Sequence, residues 1–277
     1  MIVSFLITFR ETLEAALIVG IILGYLARTK QTGYNNVVYM GVISAIVCSI
    51  IGAILFVNIS GGFTGTAEKL FEGITMLIGA ALLTSMILWM MKQKHIAVEF
   101  ERKVETEITE AHKFGLFSLV FIAVLREGIE TVIFLGAASF VTANNNLIGA
   151  ITGITAAILL GYGMFIASMK IDMKRFFNIT SVLLILFAAG LVAHGIHELQ
   201  EANVFPTAIE HIWDINPPEN LDGSYPVFHE KGHVGSILKG LLGYNGNPSL
   251  IEVLSYFAYL GLVLVLWRNI ERIHRVI

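Results

Sequence analysis

Cysteine is nearly absent from this chain: the one residue, Cys48, lies in the apolar run VISAIVCSIIGA. A disulfide framework, a thiolate metal site and a dithiol redox pair are therefore excluded within one chain, and Cys48 reads as a small packing residue. Charge is scarce too. Asp, Glu, Lys and Arg make up 14% of the 277 residues, where a soluble domain has about a quarter. A formal net charge of −3 leaves no basic face for nucleic acid. Proline is missing from most of the chain. All five (Pro206, Pro217, Pro218, Pro226 and Pro248) fall in 200–248, so that segment reads as a loop rather than a long helix.

What the chain has in excess is apolar sequence, 56% of residues at a mean hydropathy of +0.76. Residues 31–67, 73–91, 131–169 and 176–197 carry no charge with histidine neutral, and about 20 such residues cross a bilayer as a helix. The 131–169 run is too long for one helix and is broken at TANNN (142–146), a turn-forming cluster. The pattern predicts an all-α integral membrane protein with seven transmembrane helices near 2–27, 36–58, 70–91, 114–141, 147–169, 177–199 and 249–267. The N-terminus has no basic n-region and its apolar start is interrupted by Arg10, Glu11 and Glu14, so it is expected to stay as a span rather than act as a signal peptide.

Basic residues set the expected topology. Outside the first and fourth spans, thirteen Lys and Arg fall in alternate segments around 28–30, 92–113, 170–175 and 268–275, against Lys69, Lys231 and Lys239 in the other set. The positive-inside rule then puts the N-terminus outside and the C-terminus inside. The opening stretch FLITFRETLEAALIVG (5–20) recurs as FIAVLREGIETVIFLG (121–136), offset by 116 residues. A fainter echo links FEGIT (71–75) and FFNIT (176–180). An odd number of helices per copy inverts the second, so the expectation is a single domain over 1–277 with two inverted three-helix repeats and a seventh helix. Repeat 1 covers about 1–91 and repeat 2 about 114–199, with an inner loop at 92–113 and an outer loop at 200–248.

The repeated string is R-E-x-x-E. At about 100° per residue, Arg10, Glu11 and Glu14 share one helix face, as do Arg126, Glu127 and Glu130. Each arginine reaches the glutamate one turn on, leaving the other glutamate without an in-helix partner. Charges inside a span turn toward the bundle interior and mark ion pathways. If the two helices face each other, four carboxylates and two guanidinium groups converge with net charge −2, a set suited to hard multivalent cations. The alternative is that the pairs only staple helices together.

These residues resemble a known family. FLITFRETLEAALIVGIILGYLARTKQ and VLREGIETVIFLGAA are similar to the paired R-E-G-L-E motifs of the oxidase-dependent iron transporters, the high-affinity iron permeases. The resemblance extends through EKLFEGITMLIGAALLTSMILWM (68–90), LFAAGLVAHGIHELQEANVFP (186–206) and LLGYNGNPSLIEVLSYFAYL (241–260), and is nearest to the bacterial permeases of the Efe iron-uptake system. It implies that Glu11, Glu14, Glu127 and Glu130 handle iron, with Arg10 and Arg126 as motif arginines. It also implies a separate oxidase or extracytoplasmic iron-delivery protein and a multi-pass place in the cytoplasmic (inner) membrane. No tightly bound cofactor is expected; the iron ion is substrate. Thr12 departs from the motif glycine that Gly128 keeps, so a shifted ion preference stays open.

Secondary candidates lie toward the expected outer side. HGIHELQE aligns His194, His197, Glu198 and Glu201 on one face as an uptake or relay site, or as ordinary interfacial residues. Glu72 is a similar candidate, or simply favourable to a helix dipole. In the acidic outer loop, His211, Asp214, His229, Glu230 and His233 could capture cations or merely be solvated, and 233–244 suits a short amphipathic helix. The inner loop 92–113 is a solvated helix or, through Glu105 or Glu107, a carboxylate-lined exit. Four functions follow: an iron permease for Fe³⁺ or for Fe²⁺ oxidised on delivery, a permease for another cation such as lead or manganese, an intramembrane metalloenzyme on His194, His197 and Glu198, or a membrane scaffold. The order H-x-x-H-E matches neither common zinc-hydrolase motif, which speaks against the enzyme.

Overall fold

The computed structural model describes residues 1–92, 104, 113–141, 146–165, 173–206, 209–220 and 224–276. Among them are eight α-helices and no strand: α1 Ile2–Arg28, α2 Asn35–Ser60, α3 Thr66–Lys92, α4 Lys113–Val141, α5 Asn146–Phe165, α6 Met173–Glu201, α7 His233–Leu242 and α8 Leu250–Val276. Five of them (α2, α3, α5, α6 and α8) contain stretches long and apolar enough to cross a membrane. α1 and α4 have the length, 27 and 29 residues, but carry the motif charges. α7 is the short helix expected within 233–244. α8 runs past the predicted end at 267 through Arg268, Arg272 and Arg275. Hydropathy marks where a helix leaves the apolar layer, and good helix formers such as arginine and glutamate carry the backbone further.

Contacts fix the helix directions. Ser4 Oγ donates to Asn146 Oδ1 (2.8 Å) and Thr8 Oγ1 to the Ala150 carbonyl (3.0 Å), so α1 and α5 run parallel. Gly41 faces Val120, Ser49 faces Gly128 and Phe56 faces Gly136, so α2 and α4 are parallel as well. α3 and α6 run antiparallel, with Gly73 against Leu199 and Gly79 against Leu191. α1 and α4 are antiparallel too. The start of α1 (Val3, Ile7) shares a buried cluster with the end of α4 (Phe134, Ala137, Ala138, Val141). The end of α1 (Ile22, Leu26) shares another with the start of α4 (Leu116, Val120, Val124). Hence α1–α3 alternate in the sense opposite to α4–α6, and each unit's second helix packs on the other unit's first.

Between the two apolar clusters, on facing stretches of α1 and α4, come the two R-E-x-x-E strings. The fold thus brings the charged motifs of distant sequence to one level. Close approach of α2 to α4 at this level requires Gly128, where an added Cβ would meet the Ser49 side chain, its Cβ at 2.7 Å. The position related to Gly128 by the repeat holds Thr12, so the two copies differ in what they can pack.

Gly128→Ala is expected to lower thermal stability in detergent by the usual overpacking cost of about 1–3 kcal/mol. Ser49→Gly in the same chain should recover most of it. Equal melting of Gly128→Ala and wild type would show that α2 yields freely there.

Candidate metal centre

The centre is built on helix geometry first. Arg10 Nε lies 3.1 Å from Glu14 Oε1 and Arg126 Nε 2.7 Å from Glu130 Oε1, each an i,i+4 pair on one face. Arg126 Nε donates a hydrogen bond to Glu130, whereas Arg10 Nε and Glu14 Oε1 form an ion pair without one. Glu11 is buried, 3.9 Å from Arg10 Nη1, and both its oxygens lack a hydrogen-bond partner. Glu127 is also buried with Oε2 unpartnered. One carboxylate oxygen from each of Glu11, Glu14 and Glu127 lies within 4.8 Å of the others, and among the described residues this is the one His/Cys/Asp/Glu group compact enough to hold a metal ion. Glu130 stands outside that trio, one oxygen on Arg126 and Oε2 buried without a hydrogen-bond partner.

Two residues of α3 complete the surroundings. Arg10 Nη2 donates to Met90 Sδ at 2.9 Å. The Arg126 guanidinium lies over the Trp89 ring, 5.1 Å from its centroid. A cavity of about 310 Å³ opens beside Glu14 and Glu127, bounded by Leu17 and Ile21 of α1, Leu119 and Ile122 of α4, and Trp89 and Met90. It lies toward the α1 C-terminus and the α4 N-terminus, while the opposite side is closed by Ile7, Phe134 and Ala137. The related arginines are consequently unequal: the Arg10 side chain is 0% exposed and that of Arg126, on the cavity, 47%. Oxygen-only donors held this way suit hard or borderline cations.

The sequence profile of the iron permease FTR1 family matches residues 1–273. The chain belongs to that family. Among relatives, it is 36% identical over 273 residues to the ferrous iron permease EfeU of Yersinia pestis, covering 96% of this chain and 93% of that protein. The EfeU protein of Yersinia pseudotuberculosis serotype I is 36% identical over 271 residues, 96% of this chain and 91% of the relative. That of Escherichia coli O6:H1 (strain CFT073) is 34% identical over 266 residues, 94% and 92% respectively. No solved structure matches. Family and apolar helices together describe a multi-pass membrane protein.

In this FTR1-family chain the other predicted residues are arranged differently from the trio. His197 is held from both sides: Nδ1 is 3.0 Å from Glu252 Oε1 and Nε2 3.1 Å from Glu201 Oε1. Glu201 also pairs with Lys69, joining α3, α6 and α8. His194 places Nδ1 on the Gly190 carbonyl (3.0 Å) and leaves Nε2 buried and unpartnered. Glu72 and Glu198 are half-buried at the same end. In the segment between α6 and α8, His211 Nδ1 meets the Asn247 carbonyl, Asp214 accepts from the Asn216 N–H, His229 Nδ1 accepts from the Lys231 N–H, and Glu230 lies 3.8 Å from Lys239. The structure does not gather these loop residues into one ligand set. The His233 side chain, and the exit expected at Glu105 or Glu107, lie outside the described residues.

Sequence reasoning missed Glu252, Lys69, Trp89 and Met90. Glu252 had a signal: S-L-I-E at 249–252 is a capping box, with Ser249 N–H on Glu252 Oε1 (2.9 Å) and Glu252 N–H on Ser249 Oγ (3.3 Å). Trp89 and Met90 had none, because their partners lie on other helices.

Removing one partner of a buried pair strands the other. Arg10→Met should therefore destabilise the folded protein by about 3–5 kcal/mol, through the uncompensated Glu14 carboxylate. Arg126→Met should cost clearly less, because its site reaches the cavity. Denaturant unfolding of the purified variants measures both; equal losses would contradict the unequal burial.

Proposed function

We propose that this chain is an iron permease that imports iron across the cytoplasmic membrane, with the buried carboxylates of the two R-E-x-x-E motifs as the transit site. The observation that carries the reading is the trio Glu11, Glu14 and Glu127, drawn from two antiparallel helices and held within 4.8 Å. Membership of the FTR1 family supports it, as does the similarity to the ferrous iron permeases EfeU of Yersinia pestis and Escherichia coli. Seven helices (α1–α6 and α8) span the membrane as two inverted units plus one, with the N-terminus outside. In that orientation the 310 Å³ cavity faces the cytoplasm and serves release. The acids and histidines at the outer end of α6, with Glu72, receive the ion. Iron arrives as Fe³⁺, or as Fe²⁺ oxidised on delivery by a separate partner. The membrane potential assists by about 2.3 kcal/mol per charge per 100 mV.

Radiolabelled iron uptake tests the reading. Glu14→Gln and Glu130→Gln are expected to abolish uptake while full-length protein remains in the membrane. Arg10→Lys and Arg126→Lys should impair it severely, since lysine lacks the planar fork that grips a carboxylate. Wild-type uptake in all four variants would refute the transit site, and absent iron uptake beside robust lead or manganese uptake would refute iron as the substrate.

A further inference from the structure

We infer that Trp89 and Met90, neighbours in the last turn of α3, are positioning residues that keep the two motif arginines off the iron-binding carboxylates. This rests on the transit-site reading above and concerns residues outside the repeated motifs. Each arginine turns Nε toward the glutamate one turn on, as a hydrogen bond from Arg126 and as an ion pair from Arg10. The remaining guanidinium N–H groups are strong, charged donors in a fixed plane, and their best partner is another carboxylate in a two-pronged contact. Arg10 Nη1 is already 3.9 Å from Glu11. A shift of about 1 Å would close a charge-assisted hydrogen bond and neutralise the carboxylate that has both oxygens free.

Met90 and Trp89 compete for those guanidinium groups. The Met90 thioether accepts from Arg10 Nη2 at 2.9 Å, and the Trp89 ring face receives the Arg126 cation at 5.1 Å. Both partners are neutral. An acid in either place would add negative charge and bind metal itself, whereas a purely aliphatic residue would offer the guanidinium nothing. Successive residues point about 100° apart on a helix, so one turn of α3 reaches α1 through Met90 and α4 through Trp89. Both also border the cavity at Glu14 and Glu127, where their displacement changes the site and not a distant core.

The test is equilibrium binding of iron to the purified full-length protein in lipid nanodiscs, with Fe²⁺ under anaerobic conditions and Fe³⁺-citrate in a separate arm. Met90→Leu keeps the volume and removes the acceptor; it should weaken iron binding about tenfold, close to the worth of one hydrogen bond to a charged group. Met90→Gln restores an acceptor and should stay within about threefold of wild type, as should Trp89→Phe, which keeps a ring face, while Trp89→Leu should fall with Met90→Leu. A packing role predicts a different order, with Leu the better substitute at Met90. Glu14→Gln is the control. If it binds iron like wild type, or if wild type binds neither form, the transit-site reading fails and takes this inference with it. If Glu14→Gln loses binding while Met90→Leu and Trp89→Leu match wild type, only the positioning role is overturned.

Discussion

A charge in a low-dielectric interior must be answered locally, and most of this molecule's central architecture can be traced to that requirement. Six ionisable side chains sit on two helices that otherwise read as apolar spans. The pairing of Arg10 with Glu14 and of Arg126 with Glu130 needs only helical spacing, so it can form within each helix. The remaining carboxylates cannot be answered that way. They are brought together because α1 and α4 run in opposite directions between two apolar clusters, whose packing sets the level at which the motifs meet. Apolar burial thus builds the frame, and the unanswered charge inside it becomes the chemistry.

The legible part of this design was whatever local spacing records. Span positions follow from charge-free runs, the shared face of each motif from helical periodicity, and the correspondence of the two halves from direct repetition of R-E-x-x-E. Lateral neighbours were illegible. Nothing in LLTSMILWM says that Trp89 and Met90 meet arginines from two other helices. The histidines of α6 show the same limit. His197 reads as available on its own helix face, and nothing in that spacing announces Glu252, which meets its Nδ1 from another helix while Glu201 meets its Nε2. The helix of α8 continues past its apolar stretch: hydropathy records the apolar layer and not the hydrogen-bonded helix.

Near-identical motifs occupy different surroundings. Arg10 is sealed beneath packed side chains while its counterpart Arg126 borders an open cavity, and one copy has Thr12 where the other has Gly128. Repetition supplies four carboxylates, and three of them, Glu11, Glu14 and Glu127, come close. The network of Lys69, Glu201, His197 and Glu252 adds a separate polar tie among α3, α6 and α8, away from the trio.

The crossed packing of the two halves has a consequence for biosynthesis. α1 finds its parallel neighbour in α5, and the hydroxyls of Ser4 and Thr8 meet partners 142 residues later in the chain. At about 5–20 residues per second, a ribosome takes roughly 7–30 seconds to make that interval. Throughout it, the leading helix with its arginine and two glutamates has emerged without the surface that will cover it. The insertion machinery, or the nascent chain's own early contacts, must shelter those charges until the second half arrives.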